Sequence, residues 1–193
     1  MSAPARQDII LAGVGGQGIL SIAAAIAGAA LKRGLNVKQA EVHGMAQRGG
    51  AVQSHLRLSA DRIWSDLIPR GGADLILGVE PLEALRYLDY LAPEGRIVAS
   101  SKPHLNIPDY PDLEAILGEI RKIPGSVVVE AESLARAAGT ARAQNIVILG
   151  AASRFLIVDE AGLRENVRGL FEKRGESVLA ANLKAFDLGR GAV

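Results

Sequence analysis

An α/β fold, with an open, mostly parallel, Rossmann-like sheet carrying helices on both faces and a helical C-terminal segment, is predicted by three features of the sequence. A short apolar run, residues 8–13, ends in glycines and feeds a helical stretch at 17–32 that is apolar on nearly all sides. Further apolar runs alternate with helical patterns as far as residue 130, and from Ala131 onward the pattern is helical alone. Strands that alternate with helices and then give way to a helical tail point to a mostly parallel sheet. No internal repeat or low-complexity linker interrupts the pattern, so residues 1–193 are expected to form one domain, a size that a single core can fill.

Each element has its own local reason. Gly34 stops the first helix, and residues 37–42 supply a second strand at the separation of a βαβ unit. Residues 43–50 form a polar, glycine-bearing loop. In 51–58, Val52, Ser54, Leu56 and Leu58 share one parity and Gln53, His55 and Arg57 the other, which predicts a strand with two unlike faces. Buried strands follow at 73–79 and 96–100, joined by a helix over 81–90 with Pro81 at its start. Three prolines in 102–112 mark a long surface loop, and 126–130 is the last strand. Helices are expected at 144–156, 161–173 and 177–188, separated at Asp159 and Gly175.

Composition narrows the function classes. Aromatic residues are only 4% while Ala and Gly are abundant, so elements must approach through small side chains. A formal net charge of +1 offers no extended basic face for a phosphate backbone, which argues against nucleic acid. Zero cysteines exclude disulfides, Cys-ligated zinc and a thiolate-held iron–sulfur cluster in this chain. The N-terminus has no basic-then-apolar signal pattern, and the apolar run at 19–31 is too short to span a bilayer; a cytoplasmic protein with no membrane partner is expected.

Two clusters carry chemistry. Gly13, Gly15 and Gly18 fit G-x-G-x-x-G after a strand and before a helix, where N–H groups at a helix N-terminus can hold a phosphate or carboxylate. Gly15, Gly16, Gln17 and Gly18 are therefore candidate binding residues, and Glu41 falls where a ribose-binding acid would sit in a dinucleotide fold. The same glycines equally suit a tight turn and close helix–sheet contact without any ligand. The second cluster, His43, Gln47, Arg48, Gly49 and Gly50, packs an imidazole, an amide and a guanidinium between glycines just past a strand's carboxyl end, where open α/β sheets gather their ligands. Arg48 can grip a carboxylate or phosphate, and His43 can exchange a proton near neutral pH; the alternative is a local ion pair, a turn cap or a partner contact. No catalytic set is completed: the histidines lie at no metal-like spacing, and no H-E-x-x-H or nucleophile elbow occurs.

Together, the V-G-G-Q-G run at 14–18 and the E-V-H-G-M-A-Q-R-G-G run at 41–50 resemble the γ-type domain of the 2-oxoacid:ferredoxin oxidoreductase family. The second run is more similar to the indolepyruvate, or aryl pyruvate, branch than to the pyruvate or 2-oxoglutarate enzymes. The resemblance implies a small subunit of an enzyme that oxidatively decarboxylates an aryl 2-oxoacid with coenzyme A and passes two electrons to ferredoxin. It also implies that thiamine diphosphate, Mg²⁺ and [4Fe-4S] clusters belong to a large α subunit, and that no catalytic residue lies here. By the same resemblance Gly15 to Gly18 and His43 to Gly50 lie near the subunit interface, contributing to 2-oxoacid or coenzyme A recognition. Two rival readings remain: an independent NAD(P)-binding oxidoreductase, supported by the glycine motif and Glu41, and a non-catalytic scaffold subunit.

Overall fold

The computed structural model describes residues 6–43, with His43 described by its backbone alone, and residues 49–105 and 107–193. Six strands form one sheet: β1 (Arg6–Val14), β2 (Asn36–His43), β3 (Ala51–Ser59), β4 (Ala73–Gly78), β5 (Leu91–Ser100) and β6 (Val127–Val129), in the order β2-β3-β1-β4-β5-β6. β1 is apolar along most of its length because both of its faces are covered. Ile9 and Leu11 belong to one core and Ile10 to the other, and all three are fully buried.

The sheet is mostly parallel, as expected, with β3 as the one strand that runs against the other five. β1, β4, β5 and β6 run parallel, whereas β3 is antiparallel to both β1 and β2. β1 and β2 are therefore parallel to each other across helix α1 (Ile19–Lys32), as the βαβ spacing suggests, but β3 is inserted between them. The cause lies in the connection after β2, which is too short for a crossover and can only join antiparallel neighbours.

One face of the sheet carries α1, α4 (Ala131–Ala138), α5 (Gln144–Ala152), α6 (Glu160–Phe171) and α7 (Glu176–Gly191), packed with Ile9, Leu11, Leu56, Leu75 and Val98. The other carries α2 (Pro81–Arg86) and α3 (Leu113–Lys122), packed with Ile10, Ile76 and Ile97. α1 begins at Ile19 rather than at residue 17, because Gly18 before it has a left-handed backbone with φ of 79°. The helix expected over 81–90 ends at Arg86 and continues as a 3-10 turn at Leu88–Tyr90. α3 was not anticipated from sequence; Asp112 caps it by accepting a hydrogen bond from the Ala115 N–H at 2.9 Å, and Ile116, Leu117 and Ile120 bury its apolar side. Residues 101–112, called the strap below, link β5 to α3 without regular structure among the described residues.

The two unlike faces of β3 are both buried at its far end. Leu56 and Leu58 join the larger core, while His55 and Arg57 on the opposite side are covered by residues 60–72. Arg57 pairs with Asp8 through two bonds of 2.8 and 3.0 Å and donates to the carbonyls of Ser65 and Leu67 at 3.0 Å each. The His55 Nδ1 accepts from the Ile68 N–H at 3.0 Å. Polar side chains on the sheet thus anchor a coil that has no core of its own.

Candidate functional site

The turn from β1 to α1 is held by its own glutamine. The Gln17 N–H donates to the Val14 carbonyl at 3.0 Å, and the Gln17 Oε1 folds back to accept from the Val14 N–H at 2.8 Å. Gly16 and Gly18 have positive φ, 99° and 79°, and at Gly18 a Cβ would fall 2.5 Å from Asn145 Nδ2. Both positions therefore require glycine for backbone conformation, and Gly18 for space as well. The Gly15 N–H is taken by the Gly50 carbonyl at 2.8 Å, but the N–H groups of Gly16 and Gly18 donate to no atom among the described residues. α1 has no side-chain cap and no acidic residue in its first turn. Its N-terminal end offers unpaired donors and the positive end of the helix dipole to an incoming anion.

Two clefts of about 490 Å³ each flank this turn. The first, between the glycine loop and the starts of α5 and α7, is lined among others by Gly16, Gly18, Arg142, Asn145, Arg174 and Asn182. The second, between the loop and the strap, is lined among others by Gln17, Lys102, His104, Glu132, Arg142 and Gln144. Arg142 serves both, is exposed, and makes no ion pair among the described residues. Lys102 is paired with Glu132 at 2.8 Å, and the Arg174 guanidinium stands 5.4 Å over the Phe171 ring. Asn145 is 7% exposed and donates from Nδ2 to the Gly18 carbonyl at 3.1 Å, joining α5 to the loop. This is a set of groups that can bind and orient an anionic ligand. Among the described residues no three His, Asp or Glu side chains gather as a metal site.

The two clusters expected from sequence meet at one point. The Gly15 carbonyl accepts from the Gly49 N–H at 3.4 Å, so the glycine loop touches the end of the second cluster through Gly49 and Gly50. Gln47 and Arg48 lie outside the described residues, and so does the His43 side chain; the His43 backbone pairs opposite Val52. Glu41 is not brought to the loop. It sits opposite Ser54 on β2, and β3 separates β2 from β1, a displacement of two strand spacings, roughly 9–10 Å. In a dinucleotide fold the acid-bearing strand adjoins β1, so the inserted β3 removes that support for an NAD(P) site.

Arg142, Asn145, Arg174 and Lys102 were not anticipated as site residues. Asn145 alone left a trace in the sequence, a polar side chain one position into an otherwise apolar helix where burial demands a specific partner.

Residues 8–192 match the family described as pyruvate ferredoxin/flavodoxin oxidoreductase. The indolepyruvate oxidoreductase subunit IorB of Archaeoglobus fulgidus is 37% identical over 191 residues, covering 95% of this chain and 94% of that protein. Among solved structures, a 2-oxoglutarate:ferredoxin oxidoreductase from Magnetococcus marinus, with 2-oxoglutarate, coenzyme A and succinyl-CoA bound, matches with a TM-score of 0.78 and 26% identity. That match covers 98% of this chain and 31% of the other, so the chain spans about a third of that protein's length. The γ subunit of a keto/oxoacid ferredoxin oxidoreductase from Geobacter sulfurreducens, at 22% identity and a TM-score of 0.70 over 96% of this chain and 97% of that one, shares the fold. No helix among the described residues is long and apolar enough to cross a membrane.

Proposed function

Because the chain belongs to the pyruvate ferredoxin/flavodoxin oxidoreductase family, as a small subunit of a ferredoxin-linked 2-oxoacid oxidoreductase, we propose that its enzyme converts aryl 2-oxoacids such as indolepyruvate and phenylpyruvate, with coenzyme A, to aryl-acetyl-CoA and CO₂. In this reading residues 1–193 act as one domain on a large α subunit in the cytoplasm, and ferredoxin accepts the electrons through the complex. Similarity to the IorB subunit over 95% of the chain supports the aryl substrate class.

The observation that carries the role of this chain is the glycine loop. The amides of Gly16 and Gly18, without acceptors among the described residues, at an uncapped helix end and beside Arg142, which has no ion pair among them, suit the phosphates of coenzyme A. Arg48, Gln47 and His43, seven residues or fewer from Gly50 in sequence, are in this reading further groups for a carboxylate or phosphate. These residues bind and orient; bond breaking rests with the large subunit. The [4Fe-4S] clusters are assigned to that subunit, since this chain has no cysteine to hold one, and thiamine diphosphate with Mg²⁺ is assigned there by the family resemblance alone. Thiamine diphosphate there would supply the electron sink for the pair of electrons that loss of CO₂ leaves on the substrate.

Exposed apolar side chains support a partner at this end of the molecule. Leu20 on the first turn of α1, Val178 on the first turn of α7, Val42 near the end of β2, and Leu105 and Ile107 on the strap all lie at the pole that holds the glycine loop.

Co-expression with a cluster-bearing large subunit, followed by an anaerobic assay of viologen reduction, tests the reading. Coenzyme A-dependent reduction by indolepyruvate or phenylpyruvate that requires both chains is expected; a stable complex inactive toward both would overturn it.

A further inference from the structure

Glu80 lies two residues past β4, is 1% exposed, and has no cation against it among the described residues. Its Oε2 accepts from the Glu83 N–H at 2.7 Å and so caps α2. Its Oε1 accepts from the His104 N–H at 3.3 Å and from the Tyr110 hydroxyl. Burial first, and then the hydrogen bond to Glu80, push the Tyr110 phenol far above its ordinary range, so it keeps its proton and remains a donor.

A buried carboxylate is costly, and capping alone does not require this one. Ser or Thr would satisfy the Glu83 N–H from the same position with no buried charge, and Asp would do so with a shorter side chain. What the extra methylene of Glu80 adds is reach to the strap, which it holds at His104 and again at Tyr110. The same stretch of strap contributes Lys102, paired there with Glu132 at 2.8 Å, and His104 to the lining of the second cleft, which Gln17 and Arg142 share. At its start the strap is fixed by the Ser101 N–H on the Val129 carbonyl at 2.9 Å and the Lys102 N–H on Ser100 Oγ at 3.1 Å.

We propose that Glu80 is a positioning residue for ligand binding in the second cleft: its carboxylate, through His104 and Tyr110, holds the strap so that Lys102 and His104 face the anion bound at the glycine loop. The proposal rests on the reading that coenzyme A occupies this site. It separates Glu80 from a residue that merely starts a helix, because the two roles differ in how far the side chain must reach.

Glu80→Asp makes that distinction in the assembled oxidoreductase, since aspartate still caps α2 but falls short of the strap. The expected result is a Michaelis constant for coenzyme A raised roughly tenfold, with kcat within about twofold and the complex intact. Tyr110→Phe should move the same constant in the same direction by roughly threefold, having lost one hydrogen bond of two to the strap. Hydrogen exchange at the His104 amide of the full chain should accelerate in Glu80→Asp. Unchanged exchange, or an unchanged constant for coenzyme A in both variants, overturns the proposal. If the wild-type complex shows no coenzyme A-dependent activity, it is the functional reading that has failed. Calorimetric binding of inorganic pyrophosphate then replaces the kinetic constant, with weaker binding by Glu80→Asp expected and equal binding counting against Glu80.

Discussion

The backbone of α5 at Gly150 presses directly on the carbonyl of Phe186 in α7: a Cβ at Gly150 would fall 2.1 Å from that oxygen. The contact is reciprocal, since a Cβ at Gly189 in α7 would fall 2.0 Å from the Val147 carbonyl oxygen. Two helices that frame the first cleft are thus in contact main chain to main chain, and Asn145 and Asn182 reach the cleft from them.

Gly150→Ala should therefore cost at least about 3 kcal/mol, because the new methyl can be accommodated only by moving a helix. A denaturant titration of the purified chain measures it. A loss below about 1 kcal/mol would mean that α7 can shift freely and that the contact is not tight.

Arg57→Ala strips a buried aspartate of its bidentate partner. Breaking such a pair typically costs about 3–5 kcal/mol, and the lower end is expected because Arg6 still reaches Asp8. The coil at 60–72 also loses the two carbonyl contacts that Arg57 makes to Ser65 and Leu67. Limited proteolysis should show cleavage within 60–72 in the variant well before the wild-type chain is cut.

His55 gives a pH dependence. Burial, the leading cause, lowers its pKa from the ordinary 6.5, and Ile68 donates to Nδ1, so the folded ring is neutral with its proton on Nε2. The Gln53 side-chain amide, whose Nε2 stands 2.9 Å from that ring nitrogen, accepts the proton once it is turned to present its oxygen there. Below the unfolded value the unfolded chain binds a proton that the folded chain refuses. The stability attributable to His55 is constant above pH ~6.5 and falls as pH drops toward the folded pKa, by at most about 1.4 kcal/mol per unit. Urea titrations at pH 7.5 and 5.5 should show this slope in the wild type, and His55→Gln should flatten it.

Arg48→Ala should raise the Michaelis constant for the 2-oxoacid or for coenzyme A without preventing assembly, the signature of lost ground-state binding. Steady-state kinetics of the purified complex, with each substrate varied in turn, provide the check. Unchanged constants in an intact complex would remove Arg48 from the site.

The glycine loop could be read from sequence because its requirement is local: Gly16 and Gly18 need left-handed backbone whatever surrounds them. The low aromatic content announced close approach in the same way, and Gly150 against Phe186 is where it is realised. The short connection after β2 carries the direction of β3, but its place between β2 and β1 could not be read, because an alternating pattern reports which face a residue occupies and not which further strand it joins. Asn145 and Gly18, 127 positions apart, meet only once α5 has docked. Glu80 looked like an ordinary charged residue before a proline, and its value to the strap depends on the path that 101–112 takes over α2.

The insertion of β3 also sets the order in which the chain can fold as it is made. β1 precedes both of its sheet neighbours in the chain and is an interior strand, flanked by Ala51–Ser59 and Ala73–Gly78. Until those segments have left the ribosome, Ile9, Ile10 and Leu11 have no sheet to join, and pairing across such a separation is slow because a long loop must close first. Until they pair, the apolar run of β1 has both edges open, which is the kind of segment that associates with other chains.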